Sequence, residues 1–195
     1  MKSRELSSYI IDSLKNKRIY ELKSKLEDDV KKYSRSTILL NLLGLLNLKY
    51  CKFKTAEKLW VKSYLIDGNN NSKKYICMIA SDEYKELVEK YNYAIEFFKE
   101  YNYVSAIENL EAVIILNGDL IEPYILLSLC YYKVNKLKKS LEYIKKANEL
   151  DKSNCRISNI YREVDRGNLI VNGIGITVGG LVVVGIVLWC LLLIG

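Results

Sequence analysis

The sequence contains no histidine and only one proline, Pro123, among its 195 residues. Without an imidazole group, the chain can form no His-based catalytic triad and no histidine metal ligand. Its five cysteines lack the C-x-x-C spacing of zinc sites and redox pairs, and their odd number disfavours a disulfide framework. The scarcity of proline permits long helices. The composition therefore favours a helical protein and disfavours metal chemistry.

The sequence also lacks the motifs of common catalytic sites. It has no glycine-rich phosphate loop and no nucleophile elbow. The acidic pairs Asp28-Asp29 and Asp82-Glu83 are adjacent in sequence, so their carboxylates point in different directions on a helix. We therefore expect a protein that is not an enzyme and has no catalytic residue, no metal site and no cofactor.

Charged residues are absent from the last 29 residues, 167–195. Within this segment, the apolar run 169–194 exceeds the roughly 20 residues that span a bilayer. We predict that it is a single C-terminal transmembrane helix that anchors the chain by its tail. Four cations precede it, at Lys152, Arg156, Arg162 and Arg166, so the positive-inside rule predicts a cytoplasmic N-terminal domain. The lysine-, isoleucine-, asparagine- and tyrosine-rich composition favours a bacterial inner membrane.

Two features of this run predict how it contacts its surroundings. Gly175 and Gly179 form a G-x-x-x-G spacing, which allows two membrane helices to approach closely. The spacing therefore predicts self-association through these two glycines. Trp189, near the far end, suits a residue at the membrane interface.

The part of the sequence before the apolar run repeats with a period of 34 residues. Two copies are 87–120 and 121–154, and a third, 37–70, matches the same template after a gap of 16 residues. Positions 8 and 20 of each copy are small, and positions 7 and 24 are large and apolar. This pattern predicts a helical hairpin whose two helices cross closely, and such hairpins must stack to bury their apolar faces. The small residues are Gly44, Ala56, Ala94, Ala106, Ser128 and Ser140, and the large ones are Leu43, Trp60, Tyr93, Leu110, Leu127 and Ile144.

The repeat resembles the tetratricopeptide repeat (TPR) family. Leu43-Gly44, Ala56, Trp60 and Asp67-Gly68-Asn69 carry the resemblance in the first copy. The other copies carry it at Tyr93-Ala94, Ala106 and Leu110, and at Leu127-Ser128, Tyr131, Ser140 and Ala147. The resemblance implies an all-α, TPR-like α-solenoid of helical hairpins, here followed by a single transmembrane helix, and a function in protein–protein interaction.

The remaining segments fit around the three copies. Residues 1–36 have helical periodicity and are interpreted as a divergent N-terminal hairpin, either a capping or a degenerate repeat. Residues 71–86 are interpreted as a helical insertion, in which Ser81-Asp82-Glu83 has the character of a helix start. Residues 155–168 are expected to form a juxtamembrane helix or linker.

The resemblance also predicts a binding groove. In TPR folds, positions 2, 5, 9, 12 and 13 of each repeat point into the concave face. Positions 9 and 12 supply apolar side chains here, and position 13 is a lysine in every copy. Such a groove suits a protein or peptide partner with apolar anchors and acidic groups. The alternative is that a helix of the same chain, such as the insertion or residues 155–166, fills the groove. The predicted groove residues are Leu45, Leu48, Lys49, Ile95, Phe98, Lys99, Leu129, Tyr132 and Lys133.

The leading functional interpretation is a membrane-anchored scaffold or adaptor that binds a protein partner at the cytoplasmic face. A tail-anchored organelle adaptor of a eukaryote, similar to the small fission-adaptor family, is the first alternative. A nucleic-acid-binding repeat protein is the second, because the chain has a net charge of +7 and 16 tyrosines. No nucleic-acid partner is expected, because the cations are mostly lysines interleaved with acids.

Overall fold

The computed structural model describes residues 3–68 and 70–167, and within them it contains ten helices and no strand. The first five helices are α1 (Ser3–Lys15), α2 (Ile19–Lys32), α3 (Thr37–Lys49), α4 (Phe53–Asp67) and α5 (Asn70–Ala80). They are followed by α6 (Asp82–Lys99), α7 (Tyr103–Leu116), α8 (Glu122–Lys133), α9 (Leu137–Leu150) and α10 (155–167). The prediction of an all-α fold is confirmed for this part of the chain.

The helices stack in chain order. The most extensive helix contacts are those of α3 with α4, α6 with α7, and α8 with α9, which are the three predicted repeats. The α7–α8, α4–α5 and α2–α3 contacts join these hairpins to their neighbours. This arrangement is a helical-repeat solenoid, in which each unit buries its apolar face against the next.

The predicted close crossing inside each hairpin is present. At Gly44, an added Cβ would lie 2.3 Å from Nε1 of Trp60, so only glycine lets the two helices approach this closely. The Trp60 indole then donates a hydrogen bond to the carbonyl of Asn41 at 3.2 Å. In the third hairpin, the Ser140 hydroxyl donates to the carbonyl of Ser128 at 2.8 Å. The small residues therefore set the distance between the helices.

All four hairpins turn in the same way. At position 15 of the period, Lys17, Cys51, Tyr101 and Asn135 have φ angles of 55°, 52°, 61° and 58°. In each turn, the amide of position 16 donates to the carbonyl of position 11 and the amide of position 15 donates to that of position 12. This is the Schellman arrangement, in which a left-handed residue ends the helix. The hairpin of α1 and α2 shares it and is therefore in register with the three repeats.

Two apolar cores hold the stack together. The first lies between α3, α4, α5, α6, α7 and α8 and surrounds the fully buried Trp60, whose ring stacks on that of Tyr75 at a centroid distance of 5.0 Å. The second lies between α2, α3, α8, α9 and α10 and includes Leu22, Ile125 and Ile157, each 0% exposed. The first hairpin and the last described helix thus share one core with the third repeat.

The structure corrects one core assignment. Tyr93, a predicted core residue at position 7, is 44% exposed, whereas Tyr91, two residues earlier, is buried. The Tyr93 hydroxyl donates to the Glu89 carboxylate at 3.0 Å. The Tyr93 side chain can lie at the surface because its hydroxyl forms a hydrogen bond there. A purely apolar side chain at position 7 has no group that could form one.

The predicted helix start at Ser81 is confirmed. Ser81 is the N-cap of α6, and its hydroxyl accepts a hydrogen bond from the amide of Tyr84 at 3.2 Å. The predicted transmembrane helix 169–194, with Gly175, Gly179 and Trp189, lies outside the described residues. Among the helices of residues 3–68 and 70–167, none is both long enough and apolar enough to cross a membrane.

Candidate interaction trough

The apolar residues of the predicted groove pack against the first core. Leu48 is buried within this core, while Leu45, Ile95, Phe98 and Leu129 are half-buried at its edge. The Phe98 ring contacts that of Tyr103 edge-on at a centroid distance of 5.7 Å. These five side chains therefore all contact the first core.

The remaining predicted groove residues have separate surroundings. Lys49 donates a hydrogen bond to the carbonyl of Asp119 at 3.2 Å, whereas Lys99 and Lys133 are exposed. Tyr132 is 40% exposed and lies beside the end of α10, where a Cβ added at Gly167 would be 3.8 Å from the Tyr132 ring. The last described helix thus reaches this part of the predicted groove.

A cleft of about 460 Å³ lies where the first hairpin faces the third repeat. Its walls come from α2, the turn after α3, α6, the start of α8 and the start of α10. The nine predicted groove residues are not among its lining residues. It is lined by Tyr20, Lys23, Tyr50, Cys51, Lys52, Tyr91, Glu122, Asn154, Cys155 and Arg156.

A buried carboxylate, Asp151, forms hydrogen bonds to Tyr20 and Tyr50, two residues that line this cleft. Asp151 is 0% exposed and accepts hydrogen bonds from the amides of Ile19 and Tyr20 at 3.0 and 3.2 Å. It also accepts the hydroxyl of Tyr50, which in turn receives a hydrogen bond from the Asn154 amide at 3.2 Å. Asp151, the residue that follows α9, therefore caps the N-terminus of α2 and connects it with the turn after α3.

One ion pair stands at the mouth of the cleft. The Arg156 guanidinium donates to the Glu122 carboxylate at 2.7 Å, and 49% of the arginine side chain is exposed against 14% of the glutamate. Burial raises the pKa of the Glu122 carboxyl above its ordinary value, and the adjacent guanidinium limits that rise. The exposed side of the Arg156 guanidinium can donate hydrogen bonds to a second carboxylate, so an acidic ligand can pair with Arg156 beside Glu122.

Two further clefts continue from the first along α6. A cleft of about 540 Å³ shares Cys51 and Lys52 with it, and one of about 400 Å³ shares Glu57, Val88 and Asn92 with the second. We call the three together the trough. Because they share lining residues, one ligand segment can contact all three.

The trough carries opposite charges at its two ends. The first cleft has the cations Lys23, Lys52 and Arg156 against one acid, Glu122. The third cleft has the acids Glu57, Glu89 and Glu96 against one cation, Lys85. Lys23 and Arg156 are both paired with a carboxylate, but the Lys23 side chain is only 11% exposed and that of Arg156 is 49% exposed, so Lys52 and Arg156 are the cations that a ligand would meet at the basic end.

The lining groups of the trough suit recognition rather than nucleophilic chemistry. Burial raises the pKa of the Cys51 thiol well above its ordinary value, so the sulfur stays protonated near neutral pH and is a poor nucleophile. Burial also raises the pKa of the Tyr50 and Tyr91 hydroxyls, which remain hydrogen-bond donors. Among the described residues, no group of three or more Cys, Asp or Glu side chains is placed to hold a metal ion.

Sequence reasoning pointed to the other end of the repeats. The trough includes Glu122 at position 2 and Tyr91 at position 5 of the template, together with Arg156, one period after Glu122. Positions 2 and 5 belong to the predicted concave face, but the lysine that recurs in every copy lies at position 13. At position 2, the acid Glu122 is followed one period later by the cation Arg156. This pair of opposite charges was the feature of the sequence that could have indicated the trough.

No protein-family model matches the chain, and no curated protein matches it by sequence. Among solved structures, the first TPR of Spaghetti (RPAP3) bound to the HSP90 peptide SRMEEVD is similar, with 18% identity and a TM-score of 0.40 over 69% of this chain and 94% of that one. MamA 41-end from Desulfovibrio magneticus RS-1 has 16% identity and a TM-score of 0.36 over 89% and 95% of the two chains. The MamA RS-1 ArsTM double mutant has 16% identity and a TM-score of 0.35 over 85% and 95%. All three TM-scores lie below 0.5.

Proposed function

We propose that this protein is a TPR-like scaffold, tethered to a membrane by residues 169–194, that binds a segment of a protein partner at the cytoplasmic face. The observation that carries the proposal is the trough, whose basic and acidic ends lie on one continuous surface. Charge separation along a surface orients a bound segment, because the reversed orientation places like charges together. The partner segment would carry an acidic group at the Arg156 end and a basic group at the Glu89 and Glu96 end.

The predicted groove residues would supply apolar contacts to the same partner. The half-buried side chains of Leu45, Ile95, Phe98 and Leu129 retain some accessible area beside the first core. Apolar anchors of a partner would gain affinity by covering that area. Lys99 and Lys133 are exposed and would meet acidic groups at the rim.

The membrane part of the proposal is supported by the sequence. The uncharged run and the four cations before it favour a single-pass anchor with the solenoid in the cytoplasm, in a bacterial inner membrane. Gly175 and Gly179 would bring two anchors together. A dimer in detergent that is unchanged by Gly175→Ile with Gly179→Ile would contradict this role for the two glycines.

A photo-crosslinking experiment tests the trough. A photoreactive amino acid replaces Lys52, which lines two of the three clefts, and in a matched control it replaces Lys62, another exposed lysine near α4's end. The full chain is expressed in its native membrane and irradiated. We expect a discrete protein adduct from position 52 that is absent from position 62.

Substitutions then test whether the charges matter. Arg156→Gln and Glu96→Gln each remove one charge from an end of the trough, and Arg35→Gln removes an exposed charge outside it. We expect the first two to weaken the position-52 adduct about tenfold, since an ion pair in a binding site is worth about 1–2 kcal/mol. An adduct of equal yield from position 62, or one that Arg156→Gln leaves unchanged, would show that the trough is not the binding site.

A further inference from the structure

The turn between α8 and α9 carries a dense cluster of lysines. Residues 133–139 contain four lysines and no acid. All four are exposed, and in the part of the chain that the structure describes none of them forms a salt bridge. Lys139 contacts Tyr131: its Nζ donates a hydrogen bond to the Tyr131 hydroxyl at 3.5 Å and lies 5.0 Å from the ring centroid. We call Lys133, Lys136, Lys138 and Lys139 the lysine turn.

Three of these lysines lie at the N-terminus of α9, where positive charge destabilises a helix. Lys136 is the N-cap of α9, Lys138 and Lys139 lie in its first turn, and that turn has no acidic residue. The N-terminus of a helix carries partial positive charge, so lysines there are unfavourable and add to a local positive potential. This potential will attract an anion at the surface.

The lysine turn lies where the described chain ends. A Cβ added at Gly167 would be 3.8 Å from Tyr132 and 4.0 Å from Leu137, the neighbours of Lys133 and Lys136. The apolar run begins at residue 169, and an extended chain spans only about 3.5 Å per residue. Arg162 and Arg166 are exposed on α10 at the same end, but the acids Glu163 and Asp165 balance them, so the surplus positive charge there belongs to the four lysines.

We propose that the lysine turn binds the anionic phospholipid headgroups of the membrane that holds residues 169–194. The solenoid would then contact the bilayer with the end that carries this turn. This inference rests on the membrane anchoring proposed above. Lysines near an anionic surface each strengthen binding about fivefold, and they act together. Tyr132, which is 40% exposed beside the turn, is the type of side chain that prefers the membrane interface. The bound solenoid would present its trough at a fixed height and orientation.

Lysine acetylation in two kinds of vesicle tests the inference with the full chain. The protein is reconstituted into phosphatidylcholine vesicles and into vesicles that also contain about 30% phosphatidylglycerol. Mass spectrometry then follows acetylation of Lys133, Lys136 and Lys138, with the exposed Lys58 and Lys62 of α4 as internal references. We expect the turn lysines to react about fivefold more slowly in the anionic vesicles, and the reference lysines to react equally in both. Salt at about 0.5 M shortens the Debye length to about 4 Å and should remove the difference.

Two triple variants provide the matched comparison, and in each the acetylation of Lys139 is measured. Replacing Lys133, Lys136 and Lys138 by Gln should abolish the protection of Lys139, whereas replacing the exposed Lys58, Lys62 and Lys73 by Gln should preserve it. Equal acetylation in the two vesicle types, protection that survives high salt, or protection by an added RNA but not by anionic vesicles would overturn the inference. Resistance of the chain to alkaline extraction is measured in parallel. Loss of that resistance would contradict the anchor itself, and lysines that stay reactive in resistant chains would contradict only the docking.

Discussion

At the scale of single residues, the contact between Gly44 and Trp60 sets the spacing of the first repeat. A Cβ at position 44 would lie 2.3, 2.7 and 2.8 Å from three atoms of the Trp60 ring, and that ring is fully buried. The ring cannot retreat, because it stacks on Tyr75 and donates to the Asn41 carbonyl. A methyl group at position 44 must therefore push α3 and α4 apart.

We expect Gly44→Ala to destabilise the solenoid by about 2–3 kcal/mol, because overpacking outweighs the better helix propensity of alanine. Gly118→Ala is the control: its added Cβ would lie no closer than 3.4 Å to any neighbour, so its effect should stay within about 0.5 kcal/mol. Urea unfolding followed by circular dichroism measures both. Equal stability of Gly44→Ala and the parent chain would show that the two helices can separate at no cost.

At the scale of elements, Asp151 ties the start of α2 to the end of α9. The carboxylate is buried and accepts two amides of α2, the Tyr50 hydroxyl, and the amide and hydroxyl of Ser153 at 3.0 and 2.7 Å. A further hydrogen bond joins the amide of Lys152 to the carbonyl of Lys17 at 2.8 Å. The turn between α1 and α2 is therefore held to the end of α9 by both side-chain and backbone hydrogen bonds.

Removal of this carboxylate should loosen α2 before the rest of the fold. Asp151→Ala leaves buried donors without a partner, which costs about 2–4 kcal/mol. We expect faster hydrogen exchange at the amides of Ile19 and Tyr20, with little change in α6 and α7. Asp119→Ala, which removes an exposed carboxylate from the α7–α8 loop, is the control. Exchange that increases uniformly along the chain would contradict a local role for Asp151.

The elements differ in how far the sequence could predict them. The three hairpins were predictable because small and large residues recur every 34 positions, and helices must pack at those positions. The four left-handed turns were not, because Lys17, Cys51 and Tyr101 are not residues that favour a positive φ. The trough was also missed, because Asp151 and Tyr50 are separated by 101 residues in the sequence, and no local pattern shows that they meet. Long-range polar contacts of this kind depend on how the stack closes.

At the scale of the whole molecule, the cores are rich in tyrosine, and this links stability to pH. Burial raises the pKa of Tyr50, Tyr84 and Tyr91 above the ordinary value, and raises that of Tyr143 to about 12. Burial also raises the pKa of the Cys130 thiol to about 12. At high pH, the unfolded chain loses these protons while the folded chain keeps them. The unfolded state then binds fewer protons, so the free energy of unfolding falls as pH rises.

The stabilising effect of the buried tyrosines should therefore be complete below about pH 9 and be lost progressively above about pH 10, the ordinary range of tyrosine ionisation. Each buried tyrosine contributes at most about 1.4 kcal/mol per pH unit. We expect Tyr84→Phe with Tyr91→Phe to flatten the decline between pH 10 and pH 12 by roughly 2 kcal/mol per unit. Tyr33→Phe, at a ring that is 51% exposed, should leave the slope unchanged. Urea midpoints from pH 8 to pH 12 measure the effect. A stability that stays flat over this range would show that the buried hydroxyls reach water in the folded chain.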